Sequence, residues 1–161
     1  GVYTLICRED GEHISAALNA GEIKSGLVIG SGWIGLQAAI AFSKRGIKTT
    51  VIERLPSLIP TLLDADMSSI VKDYLEPDIT FVLEKKVDAI RGRGRVESVA
   101  AGGEEMPADI VLLSAGMRPD IDLAADAGID IGSKQIGKPH RNKNADKKTG
   151  SEFIVEAECN I

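Results

Sequence analysis

Three glycines, Gly30, Gly32 and Gly35, stand between a short apolar run, "GLVIG", and a helix-like run that begins "WIGLQAAIAF". Backbone without Cβ atoms at this spacing suits one kind of chemistry, the presentation of amide N–H groups to phosphate oxygens. Gly30 ends a strand, where the chain must turn tightly. Gly32 leaves room for a pyrophosphate, and Gly35, one turn into the helix, allows close packing on the sheet. Ser31 completes the loop, and the positive end of the helix dipole favours anions there. An acid, Glu53, closes the next apolar run, "IKTTVIE". It stands near the offset of roughly 20 residues at which a carboxylate accepts hydrogen bonds from adenosine ribose hydroxyls. A carboxylate there repels a 2′-phosphate and favours NAD(H) over NADP(H), while Arg54 beside it offers a guanidinium that can host that phosphate. The pattern predicts a dinucleotide site. The plain alternative is a tight strand–helix turn beside an exposed acid.

The elements that must hold these residues alternate. "YTLICREDGEHISAALNAGEIKSG" starts apolar and then reads as a helix, with Ile14, Ala17 and Leu18 on one face and Gly21 as a stop. "GLVIG" has the fully apolar character of a parallel strand covered on both sides. A helix over Ile34 to Arg45 is rich in small residues and ends at Gly46. "IKTTVIE" is a strand, "DADMSSIVKDYLE" an amphipathic helix and "DITFVLE" a third strand. Residues 85–107 are then cut by glycine turns into segments too short for helices, which predicts an antiparallel meander. "ADIVLLSAG" returns as a buried strand. The fold class is α/β, Rossmann-like, with a parallel sheet, helices and a three-stranded β-meander.

A chain of 161 residues, 43% of them hydrophobic, can bury one core. A net charge of −5 argues against nucleic acid as the main partner. No apolar stretch reaches the roughly 18–20 residues needed to cross a bilayer, so the expectation is a soluble, cytoplasmic protein with no membrane partner. Gly1 in place of a methionine suggests an excised or processed piece. Cys7 and Cys159 have no paired spacing and are expected to be inert thiols rather than a disulfide or zinc site. Residues 134–148 carry six basic residues against one acid and almost nothing to bury, as in a solvated tail; an anion- or RNA-binding arm is the sharper alternative.

The stretch "VIGSGWIGLQAAIAFSKRGIKTTVIERLPSLIPTLLDADM" resembles the NADH-binding domain of the FAD-dependent pyridine nucleotide–disulfide oxidoreductases, in the branch of NADH oxidase, NADH peroxidase and coenzyme A-disulfide reductase. "MPADIVLLSAGMRPDIDLAADAGI" is similar to a downstream segment of the same family, with its arginine–proline turn inside Ala115 to Pro119, and "GVYTLICREDGEHI" to its connector. The antiparallel insert is a mark of that family too. The resemblance covers residues 1–131. It implies a connector and helix over 1–24, a βαβαβ unit over 25–84, the meander over 85–107, and a last strand and turn over 108–131. Residues 132–161 depart from the family as an atypical tail, either a divergence or an artificial addition.

The resemblance also implies roles. Trp33 stands where relatives place Tyr or Phe, an aromatic that covers the flavin until nicotinamide displaces it; a core or helix-packing indole is the alternative. Ile34 would line the same channel, and Gly116 would approach the nicotinamide end. Gln37 replaces the usual Glu, keeping hydrogen-bonding capacity without charge. The implied protein is a piece of a flavoenzyme, bound to NAD(H) itself, with FAD and dimerisation domains elsewhere. Such a piece should bind but not turn over, and no residue in it is expected to be a terminal redox centre or to bind metal. A free-standing NADH-binding or sensing module is a second reading. An S-adenosylmethionine-dependent methyltransferase, which also pairs a glycine loop with an acid ending strand two, is a third.

Overall fold

The computed structural model describes residues 1–116 and 120–129. Along the chain, β1 (Val2–Tyr3), α1 (Arg8–Asn19), β2 (Ser25–Ile29), α2 (Trp33–Ser43) and β3 (Lys48–Ile52) come first. They are followed by α3 (Ala65–Leu75), β4 (Ile79–Val82), β5 (Val87–Gly92), β6 (Val96–Ala101), β7 (Glu104–Pro107) and β8 (Ile110–Leu113). The chain divides after Ala115 into two compact units, and the second contains a short helix, α4 (Asp122–Asp126). That helix lies within the stretch 108–131, read as a last strand and turn. The cysteine at 159, the basic stretch 134–148 and residues 117–119 of the arginine–proline turn lie outside the described residues.

In the first unit a five-stranded sheet has the order β1-β8-β2-β3-β4, and each neighbouring pair within it is parallel. Strands β5, β6 and β7 form a separate antiparallel sheet in that order. The predicted fold class therefore holds. Two placements needed tertiary information. The last strand does not extend the β2-β3-β4 series but inserts on the other side of β2, and Val2–Tyr3, read as a connector, pairs with it as an edge strand. Two residues are too few for a periodic signal.

Strand alternation distributes the core between the two faces of the parallel sheet. Val28, Val51, Ile110 and Leu112 pack with Ile14, Ala39, Phe42 and Ile79 on the helical side. Leu27, Ile52 and Val111 pack with Val96, Val99 and Ala101 of the meander on the other. Both faces are covered, which is why Leu27–Ile29 of β2 and all of β8 are apolar instead of alternating. Helix α2 stops as predicted. Gly46 lies at φ 74° and donates to Ser43 O, while the Ile47 N–H reaches back to Phe42 O at 3.2 Å. That pair of bonds satisfies carbonyls that the helix end would otherwise leave bare.

Asp109 secures the other end of the sheet. Its Oδ2 accepts from the N–H groups of Lys24 and Ser25, at 2.9 and 2.8 Å, and from Ser25 Oγ. Those backbone donors, Lys24 first, hold its carboxyl below the ordinary aspartate range. A depressed folded-state value stabilises the fold above the unfolded value and ceases to do so as pH falls through the folded one. Asp109→Asn should therefore lose at most about 1 kcal/mol at pH 7, because solvent screens this exposed carboxylate. The gap to the native chain in urea melts should narrow as pH drops below about 3.9. A gap independent of pH would mean that the carboxylate charge contributes nothing.

Candidate functional site

The glycine loop forms where the carboxyl ends of β2, β3 and β8 meet. The Gly30 N–H donates to Ile52 O at 2.8 Å, and Ser114 N–H donates to Ile29 O at 2.8 Å. Gly30 adopts φ 100°, and a Cβ there would lie 2.3 Å from Ser114 O. A Cβ on Gly35 would lie 2.1 Å from Gly30 O, so Gly35 admits the turn's own carbonyl as well as the sheet. Gly32 is different. It is the N-cap of α2, at φ −66°, and a Cβ there would meet nothing within 4 Å. Among the described residues, no group accepts from the amides of Gly32, Trp33 and Ile34. Such a helix start, open in front of bare N–H groups, suits an anion.

Ser31 is turned inward and fully buried. Its N–H and its Oγ both donate to Glu53 Oε2, at 2.8 and 2.9 Å, while Glu53 Oε1 accepts from the Leu55 N–H at 2.9 Å. The acid predicted to face a ribose is thus also a brace between the first loop and the end of β3. Glu53 remains half-buried and Arg54 is exposed.

Trp33 is 62% exposed, so it is not a core indole. Together with Gln37, one turn further on, it lines a groove between α2 and α3 that also includes Ile40, Ile59 and Leu62. Ile34 is half-buried. Gly116, at φ 118°, opens the second unit. The structure accordingly gathers residues 30–35 and Glu53 into one corner and sets Gln37 beside Trp33.

Sequence reasoning passed over the loop after β3. Ile59 is buried at φ 47°, a conformation that costs a β-branched side chain dearly, and its N–H donates to Ser31 O at 3.1 Å. Leu58 is fully buried, and its N–H donates to the hydroxyl of Ser68, itself buried within α3, at 2.7 Å. The available signal was the run "LPSLIPTLL", too apolar for a solvated loop and without any period.

Residues 4–144 match the family model described as pyridine nucleotide-disulphide oxidoreductase. The chain belongs to this family. It is 38% identical over 137 residues to an NADH oxidase of Methanocaldococcus jannaschii, covering 84% of this chain and 31% of that protein. It is 33% identical to a CoA-dependent NAD(P)H sulfur oxidoreductase of Pyrococcus furiosus, covering 82% and 30%. The solved NAD-dependent persulfide reductase from A. fulgidus superposes with a TM-score of 0.75 at 34% identity, covering 82% of this chain and 25% of that one. The chain spans about a third of the length of the curated relatives it matches. Membership in the oxidoreductase family sets aside the methyltransferase alternative. No helix among the described residues is long and apolar enough to cross a membrane.

The three glycines do different work, and stability measurements can separate them. Gly30→Ala should cost about 2–4 kcal/mol, because the new Cβ meets a backbone oxygen and the backbone is left-handed. Gly32→Ala should cost at most about 1 kcal/mol, the scale of an N-cap change. Equal losses in urea titration would remove the distinction between a packing glycine and an approach glycine.

Proposed function

We propose that residues 30–35 bind the pyrophosphate of NAD(H), preferred over NADP(H), and that Glu53 accepts a hydrogen bond from the adenosine ribose. The observation that carries this reading is the row of amides at Gly32, Trp33 and Ile34, from which no described residue accepts, beside a braced carboxylate. The residues fit the group. Gly30 and Gly35 form the bend, Gly32 admits the phosphates, and Ser31 supports the acid from behind. The carboxylate opposes a 2′-phosphate, and Arg54 tempers that preference. The relatives named NADH oxidase and NAD(P)H sulfur oxidoreductase support a nicotinamide nucleotide.

In the intact enzyme the nicotinamide supplies a hydride to FAD held by a separate domain, and the acceptor beyond it is a disulfide, peroxide, oxygen or persulfide. The task of this chain is orientation. With the cofactors bound, the exposed Trp33 would shield the flavin, Ile34 would line the same channel, Gln37 would orient the nicotinamide without adding charge, and Gly116 would face its nicotinamide end. The FAD-binding and dimerisation domains are its partners, and the chain by itself binds without turnover.

Trp33 is the only tryptophan in the sequence, so energy transfer from it to reduced nicotinamide reports binding directly. NADH should quench its emission saturably with Kd in the micromolar to millimolar range, and S-adenosylmethionine should not. A flat NADH titration would remove the reading. Glu53→Gln keeps much of the brace while removing the charge, and should lower the NADH-over-NADPH preference by about threefold or more. An unchanged ratio would show that Glu53 does not select the ribose.

A further inference from the structure

We infer that Ser31 is a specificity-determining positioning residue, whose hydroxyl and amide pin the Glu53 carboxylate so that a single acceptor position is left for the nucleotide ribose. The inference rests on the dinucleotide reading above and goes beyond the fingerprint, in which the residue between the first two glycines has no assigned task.

A carboxylate offers about four acceptor positions, two on each oxygen. Ser31 N and Ser31 Oγ fill both on Oε2, at 2.8 and 2.9 Å, and Leu55 N fills one on Oε1, at 2.9 Å. One position on Oε1 remains. Ser31 cannot easily relax this arrangement. It is fully buried, so its hydroxyl must keep a partner, and its carbonyl is held from the opposite side by the Ile59 N–H. The Glu53 side chain therefore cannot change rotamer without breaking three bonds together.

This rigidity has opposite consequences for the two nucleotides. A ribose hydroxyl meets an acceptor already oriented, with little rotamer entropy left to lose. A 2′-phosphate meets a negative charge that cannot swing aside, and rejection by a fixed repulsive group is how such discrimination is commonly built. Without the Ser31 hydroxyl, Glu53 retains its charge but regains freedom. NADH then loses an oriented acceptor, and NADPH gains a carboxylate able to move away.

The test measures NADH and NADPH dissociation constants by Trp33 energy transfer in the native chain, Ser31→Ala, Glu53→Ala and the double variant, with thermal melts confirming that each is folded. Ser31→Gly, which deletes the same hydroxyl, stands in should Ser31→Ala fail to fold. Ser31→Ala should lower the NADH-over-NADPH preference by about three- to tenfold, the scale of one ordinary hydrogen bond. In the Glu53→Ala background the same change should leave the ratio where it is, because the residue acts through the acid. An unchanged ratio in the single variant, or an equal change in both backgrounds, overturns the inference while leaving the dinucleotide reading intact. A native chain that binds neither nucleotide overturns both.

Discussion

Everything at the corner formed by residues 30–35 and Glu53 depends on a steric constraint, the absence of room for a Cβ where three backbone segments converge. Gly30 O sits against Gly35 at the start of α2, and Ser114 O sits against Gly30 at the end of β8. A side chain at Gly35 would push the helix off the turn, and one at Gly30 would push away the chain that leaves β8. The close approach that follows aims the first amides of α2 outward past Gly32, the one glycine of the three with open space around it. The exposed helix start is therefore a by-product of tight packing at Gly30 and Gly35.

Glu53 joins that steric device to an electrostatic one. It ends β3, whose backbone already ties to the loop through the Gly30–Ile52 bond, and it closes the corner by accepting from Ser31 and Leu55. The same carboxylate that stabilises the fold is the charge a nucleotide would meet. A buried serine hydroxyl and a half-exposed acid satisfy each other, so the fold keeps an ionised group near its surface without leaving a buried donor unpaired. The strained Ile59 is part of the same corner, since its amide holds the Ser31 carbonyl. That bond and the burial of its side chain with Leu36 and Leu58 hold it at positive φ.

Much of this was legible in the residues themselves. The runs "GLVIG" and "IVLL" announced strands covered on both sides, glycine turns announced the meander, and Gly46 announced the end of α2. The offset between the glycine loop and Glu53 was legible too. The inward turn of Ser31 was not, because a serine next to a glycine reads equally well as a phosphate donor or an internal strut. The loop at Leu58 and Ile59 also stayed hidden, since its burial depends on Ser68 of α3, a contact without local periodicity.

The sequence alone determined the type of the elements from α1 to β8 and the family, because side-chain periodicity, glycine placement and the loop-to-acid spacing are local properties that survive in a string of letters. Only the tertiary structure decided that the last long strand enters beside β2, that Val2–Tyr3 becomes its edge partner, and that Glu53 already has three donors. Those outcomes depend on which distant backbones come within hydrogen-bonding distance. That distance is set by the packing of both sheet faces together and cannot be read from any one segment.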